Sequence, residues 1–310
     1  DVSSLTVYRT SVGICNMKMI VIIGGGAAGI FAAIAAKKSQ PHANVIVLEK
    51  SKALLSKVRV SGGGRCNVTT GITDVSTVLT NYPRGGKFLS SAMYRFPPDR
   101  VRAWFEARGV PLKVEDDLRV FPVSNDGRDI VGVFEKLFQS QTVRQMLNTS
   151  VKRIEKREQQ FYLFLKDQPK PLVVDRVILT TGGQAYRHTG SKGDGYAFAQ
   201  SLGHSITQLA PSLSSLFTKE AWPAEISGLS FERATIRAMN DNKITRTGPF
   251  LFTHRGISGP AAFALSSLVA FESFDREHPL EILIDLFPDK SRDDLREMIE
   301  TNISNNLKKS

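Results

Sequence analysis

Residues 18–49 read KMIVIIGGGAAGIFAAIAAKKSQPHANVIVLE, and the fold follows from them. Met19 to Gly24 is an apolar, β-branched run ending in glycine, which predicts a strand buried on both faces in a parallel sheet. Gly24, Gly26 and Gly29 fit G-x-G-x-x-G: the first for the tight turn, the second for close approach of a pyrophosphate, the third for packing of helix on strand. Ala27 to Lys38 is rich in alanine and isoleucine and predicts a buried helix. Ala27 and Ala28 lie at its N-terminus, where free amides favour a phosphate. Val45 to Leu48 predicts a second strand, closed by Glu49. That acid lies 25 residues after Gly24 (49 − 24), near the ~20-residue offset of the carboxylate that takes a ribose hydroxyl. Strand, glycines, helix, strand and acid in this order predict a dinucleotide site, with FAD or NAD favoured over NADP because the acid suits an unphosphorylated ribose.

The 310 residues suffice for two domains or for one domain with an insertion. At 41% hydrophobic and 23% charged, the composition supports a sizeable core. The net charge is +11. No run of Lys or Arg interleaved with aromatics accompanies it, so it reads as a solvated basic surface that suits an anionic cofactor rather than as a nucleic-acid footprint. Two cysteines, Cys15 and Cys66, point away from a disulfide framework and towards a reducing, cytoplasmic compartment. Glycines interrupt the apolar stretch from Met19 to Ala36, so no membrane span is expected. Residues 1–16 are mostly polar and unpatterned and are expected to form an unstructured leader.

Further along, Ser51 to Val60 predicts a short helix. It leads into a second glycine loop, Ser61-Gly62-Gly63-Gly64-Arg65-Cys66-Asn67, where converging amides and a guanidinium suit phosphate. Cys66 reads either as a neighbour of the cofactor or as inert packing. Helices are expected within residues 85–109, a β segment over 110–123 with Arg119–Pro122 at its edge, and an amphipathic helix over 129–147. A three-stranded meander is expected from 151–154, 161–165 and 173–179. Its last strand runs into Thr180-Thr181-Gly182-Gly183. In the segment 189–196, Asp194 is placed to cap the next helix, with Lys50 following Glu49 on the cofactor side. From Gln208 the pattern becomes short strands and turns, an inserted antiparallel β domain, in which Gly259 or Ser258 caps a helix opening at Pro260. His254 and Arg255 sit there in a glycine-flanked loop. With Tyr186 they are the candidate catalytic, substrate-side residues. No paired acids, Ser-His-Asp set or metal-ligand cluster is expected.

Taken together, VIIGGGAAGI with Glu49, SGGGRCN (61–67), RVFPVSN (119–125), TTGG (180–183), TGSKGDGY (189–196) and FTHRGISGPA (252–261) resemble the aminoacetone oxidase-like, or BaiN-like, FAD-dependent flavoproteins. The resemblance implies an α/β fold: a Rossmann-like FAD-binding domain of the two-dinucleotide-binding type, over 17–205, with a β-barrel-like domain and a small helical piece inserted from 206 to 310. It implies that Gly24, Gly26, Gly29 and Glu49 hold the ADP half. Arg65, Cys66 and Asn67 then run along the cofactor, Val151 touches the adenine through its backbone, and Thr181, Gly182 and Gly183 line the site; Ser61, Gly64 and Asp194 join the expected cofactor-binding set on the chemistry of their loops. Such proteins close with a Gly-Glu/Asp segment on the flavin side. None follows Lys290, so the chain is expected to stop inside the helical insertion. The activity implied is hydride transfer between a small organic substrate and flavin, amine oxidase-like or ene-reductase-like, with NAD(P)H or O2 as redox partner. The alternatives are a flavoprotein associated with tRNA or another nucleic acid, resting on charge, and a non-catalytic remnant, resting on the missing segment.

Overall fold

The structure, a computed structural model, describes residues 17–239 and 244–307. The expected leader and Cys15 lie outside the described residues. The chain forms two compact units: residues 17–75 with Ala92–Thr207, and Ser76–Ser91 with the described residues from 208 on. The first 16 residues of that second unit thus precede the break expected at 205/206.

In the first unit, Met19–Ile23 is the second strand of a four-stranded parallel sheet, in the order Arg176–Leu179, Met19–Ile23, Asn44–Leu48, Arg144–Met146. Strand side chains alternate between faces, and here both faces are covered. Ile20, Ile22, Val45 and Val47 pack against Ile30, Ala33 and Ile34 of the helix Ala27–Ser39 and against Ile130, Phe134 and Phe138 of the helix Gly127–Ser140. Val21, Ile23, Ile46 and Leu48 pack against Ile154, Leu163, Leu165 and Val174 of an antiparallel meander, and against Phe198. Each such aliphatic side chain removed from water contributes about 1.5–3 kcal/mol. This explains the apolar, non-alternating reading of 19–23.

Three expectations give way here to pairing. The helix 129–147 ends at Ser140, and Arg144–Met146 pairs instead with Ile46–Leu48 as the fourth parallel strand. Thr142, at φ 54, breaks the helical path. The meander's third strand stops at Val174. Asp175 then hands the chain to the parallel sheet: its N–H donates to Met19 O at 3.0 Å, and its carboxylate accepts from Met19 N at 2.7 Å. Arg119–Pro122 is central rather than an edge, since it pairs with both Thr69–Thr70 and Leu112–Val114 and buries Val120 and Phe121 completely. The helix expected over 51–60 is confined to Ser56–Val60.

The second unit holds a five-stranded antiparallel sheet, ordered Leu216–Phe217, Gly256–Ser258, Thr245–Thr253, Ser230–Ala238, Ile282–Asp285. The helix Pro260–Leu268 covers it, with Gly259 as cap residue and Pro260 in the first turn, and buries Ala261, Ala262 and Leu265 against Ile236, Phe250 and Phe252. The helix Arg292–Leu307 starts at a reciprocal cap: Asp294 N–H donates to Ser291 Oγ at 3.1 Å, and Ser291 N–H to the Asp294 carboxylate at 2.9 Å.

Candidate functional site

The strand Met19–Ile23 delivers its C-terminal end to a cleft of about 260 Å³ in the first unit. Gly24 turns with φ 110, and a Cβ there would lie 2.5 Å from Thr180 O. A Cβ on Gly29 would lie 1.9 Å from Gly24 O, so the third glycine lets the helix seat on the turn. Thr180 fastens the same turn: its Oγ1 donates to Ile23 O (3.0 Å) and Gly24 O (2.9 Å). Gly26 differs. It precedes the helix without a side-chain cap, and nothing lies within 4 Å of its Cβ position. Its bare side faces open space, and Ala27 and Ala28 beside it are exposed in the cleft. A helix N-terminus with free amides and no side chain in front of it is an anion site.

Glu49 lines the same cleft. Its Oε2 accepts from Gly25 N at 2.7 Å and its Oε1 from Ser51 N at 2.8 Å. A carboxylate offers about four lone-pair positions, so two stay available in the cleft for a diol. Lys50 and Asp194, also lining the cleft, form an ion pair. This corrects the expected role of Asp194 as a cap: Gly193 precedes the helix Asp194–Ser201 with no side-chain cap, because the Asp194 carboxylate is drawn to Lys50. TTGG and GDGY interlock, since a Cβ on Gly195 would lie 2.3 Å from Thr181 Oγ1.

The cleft brings together Gly24, Gly26, Ala27, Ala28, Glu49, Lys50, Val151, Thr181, Gly182 and Asp194. Sequence reasoning left out Thr180, Ser56, Lys57 and Ser191 as cleft residues. The signal for Thr180 was its place at the end of an apolar strand beside Thr181.

The second glycine loop stands apart from the lining. Arg65 donates to Glu115 Oε1 at 2.7 Å and lies 3.8 Å over the Phe121 ring. Lys113 and Arg119 also approach Glu115, at 3.9 and 3.8 Å. Ser61 Oγ donates to Val58 O, and Asn67 Oδ1 accepts from Val120 N. Gly64 is tied in as well, since a Cβ on Gly127 would meet Gly64 O at 2.8 Å. Cys66 is buried in the core, and that burial pushes its thiol pKa up, partly offset by a hydrogen bond involving Ser61. Gly183 faces Tyr196 Oη, 3.2 Å from its Cβ position. Tyr186 is exposed in the first unit, with its ring 5.9 Å from that of His188. His254 and Arg255 form an exposed turn between two strands of the second unit, where Arg255 lies 4.2 Å over the Phe217 ring. Among the described residues no group of three or more His, Cys, Asp or Glu side chains is placed to hold a metal, and no helix is long and apolar enough to cross a membrane.

The HI0933-like protein Rossmann domain model matches residues 18–259, most of the chain. The chain belongs to the HI0933-like protein family. The HI0933-like protein barrel and H2TH domain model matches residues 210–310, overlapping the first match over 210–259. A relative, the 3-dehydro-bile acid delta(4,6)-reductase of Clostridium scindens, is 29% identical over 93% of this chain and 69% of its own length. The ribosomal RNA dihydrouridine synthase of Escherichia coli is 26% identical over 80% of this chain and 60% of its own, and that of Haemophilus influenzae is also 26% identical. The chain thus spans 60–69% of the length of these curated relatives. These matches bear out the BaiN-like flavoprotein resemblance and the Rossmann domain with a further barrel-type domain. For this family the fold implies a flavin cofactor.

Proposed function

We propose that this chain carries the cofactor and substrate domains of an FAD-dependent reductase acting on an activated carbon–carbon double bond. The observation that carries the reading is the open face of Gly26 together with the amide-held Glu49 carboxylate in one cleft. The residues fit a dinucleotide: free helix amides at Gly26–Ala28, with Lys57 among the lining residues, suit the pyrophosphate, and Glu49 suits a ribose diol. Val151 offers backbone to the adenine, and Thr181 and Gly182 continue the groove. When bound, FAD supplies two-electron hydride chemistry.

Resemblance carries the placing of Arg65, Cys66 and Asn67 along the cofactor, while Tyr186, His254 and Arg255 are substrate-side candidates on their side-chain chemistry alone. The relatives' names favour the reductase branch over the amine-oxidase branch: a delta(4,6)-reductase and dihydrouridine synthases both denote added hydrogen. NAD(P)H is the matching electron source. The test is a visible spectrum of the purified chain, before and after FAD addition, followed by NAD(P)H oxidation with an enone against aminoacetone with O2. A flavin spectrum and enone-dependent turnover are expected. A colourless chain that FAD cannot reconstitute overturns the cofactor reading, and turnover of the amine alone overturns the reductase branch.

The two synthase relatives and the +11 charge support a second reading, in which the double bond is that of a uridine in RNA. RNA binding whose affinity falls steeply with salt supports it, and no affinity at low ionic strength removes it.

A further inference from the structure

A second cleft, of about 400 Å³, opens in the first unit on the other side of the segment 52–55. Its interior is apolar: Ile30, Leu55, Phe134, Phe138 and Val143 are buried there, with Leu54 and Leu147 half-buried. Its rim is polar and bears two cations. Arg59 is neutralised by Glu135 at 3.1 Å, while Lys52 makes no ion pair among the described residues. A volume of a few hundred Å³ with an apolar lining and a few polar groups is the usual form of a small-molecule site. One uncompensated ammonium at the mouth of an apolar hollow selects a compact apolar body with a single negative end.

The wall between the two clefts is thin, for Ala53 and Leu55 line both. Leu55 N–H donates to Gly25 O at 2.8 Å, from a left-handed backbone (φ 60) that a leucine adopts at a cost. Leu54 presses on Gly25 from behind, since a Cβ there would lie 2.3 Å from Leu54 Cδ2. Gly25 N–H in turn holds Glu49. A molecule that packs on Leu54 and Leu55 therefore acts two bonded steps from the carboxylate of the dinucleotide cleft.

We propose that this second cleft binds a small apolar monocarboxylate, with its carboxylate at Lys52, and that its occupancy alters the hold on the dinucleotide. The coupling rests on the dinucleotide reading above; the binding does not. The test is calorimetric titration of the whole chain with decanoate, with decanol as the uncharged control, and titration of FAD with and without saturating decanoate. Lys52→Glu and Gln145→Trp, both at exposed rim positions outside the first cleft, serve as variants, with circular dichroism to confirm folding. Saturable decanoate binding is expected, weakened at least tenfold by Lys52→Glu, lost in Gln145→Trp and weaker for decanol, together with a severalfold change in FAD affinity. No saturable binding, or binding indifferent to both variants, overturns the site. Decanoate binding with unchanged FAD affinity overturns the coupling. If FAD does not bind at all, the dinucleotide reading fails instead and the decanoate arm alone decides the site.

Discussion

Two glycine-rich loops, residues 24–29 and 61–67, look alike on paper and do different work in the fold. In the first, two glycines are forced by backbone: Gly24 against Thr180 and Gly29 against Gly24 O. Gly25 meets the Leu54 side chain, and Gly26 is left bare, towards open space. In the second, Gly62 is pinned by Asn67 and Phe121, while a Cβ on Gly63 or Gly64 would meet nothing, and the loop's charge is turned to Glu115 rather than to the cleft. A glycine run says that side chains are excluded; only the neighbours say whether protein or ligand excludes them.

The strongest way to break this comparison is to add one methyl to each loop. Gly29→Ala places a carbon against immovable backbone and is expected to lower the unfolding free energy by more than about 3 kcal/mol. Gly63→Ala meets only its own left-handed φ and costs about 1 kcal/mol. Urea unfolding of both variants measures the difference, and equal losses contradict the packing account.

Next comes Gly26→Val. Its Cβ is unopposed and its φ is −79, so stability falls by about 1 kcal/mol or less, the cost of a poor cap. FAD affinity is expected to fall about a hundredfold, because in the proposed reading the side chain stands where the phosphate approaches. Fluorescence titration of FAD reads it, and unchanged affinity breaks the assignment of the first loop.

Glu115→Gln sharpens the contrast from the other side. It removes the carboxylate on which Arg65, Lys113 and Arg119 converge, in a partly exposed setting, and is expected to cost about 0.5–1 kcal/mol. FAD affinity stays unchanged, since Arg65 is outside the cleft. A changed affinity would put Arg65 against the ligand, as the family resemblance implies.

The smallest effect concerns Cys66. Burial raises its thiol pKa above the value in the unfolded chain. The folded state therefore keeps its proton where the unfolded state loses it. This contribution is complete below the unfolded value of roughly 8.5 and is lost as pH rises through the folded value. Iodoacetamide should label the Cys66 peptide slowly at pH 8 until denaturant is added, as mass spectrometry can show. Rapid labelling in the folded chain would contradict its placement in the core.

Much of the first cleft was legible because its parts are close in sequence. Strand, turn, helix and acid fall within residues 18–49, and the chain's own sterics order them. The expectations that missed concern partners chosen from afar. Residues 144–146 read as the end of a helix, yet their backbone pairs with Ile46–Leu48, 98 residues earlier (144 − 46). The stretch 173–179 reads as one strand and is divided at Asp175 by the bonds exchanged with Met19. Asp194 has the chemistry of a cap, and a lysine 144 residues away claims it.

From the sequence alone came a βαβ unit with a carboxylate at its second strand's end, and with it the dinucleotide class, because local sterics and burial periodicity act on neighbours. Only the tertiary structure decided what each glycine is for. The Thr180 hydroxyl that clamps Gly24 comes from 156 residues on, and the Glu115 that holds Arg65 from 50. Contacts across such separations leave no local period to read.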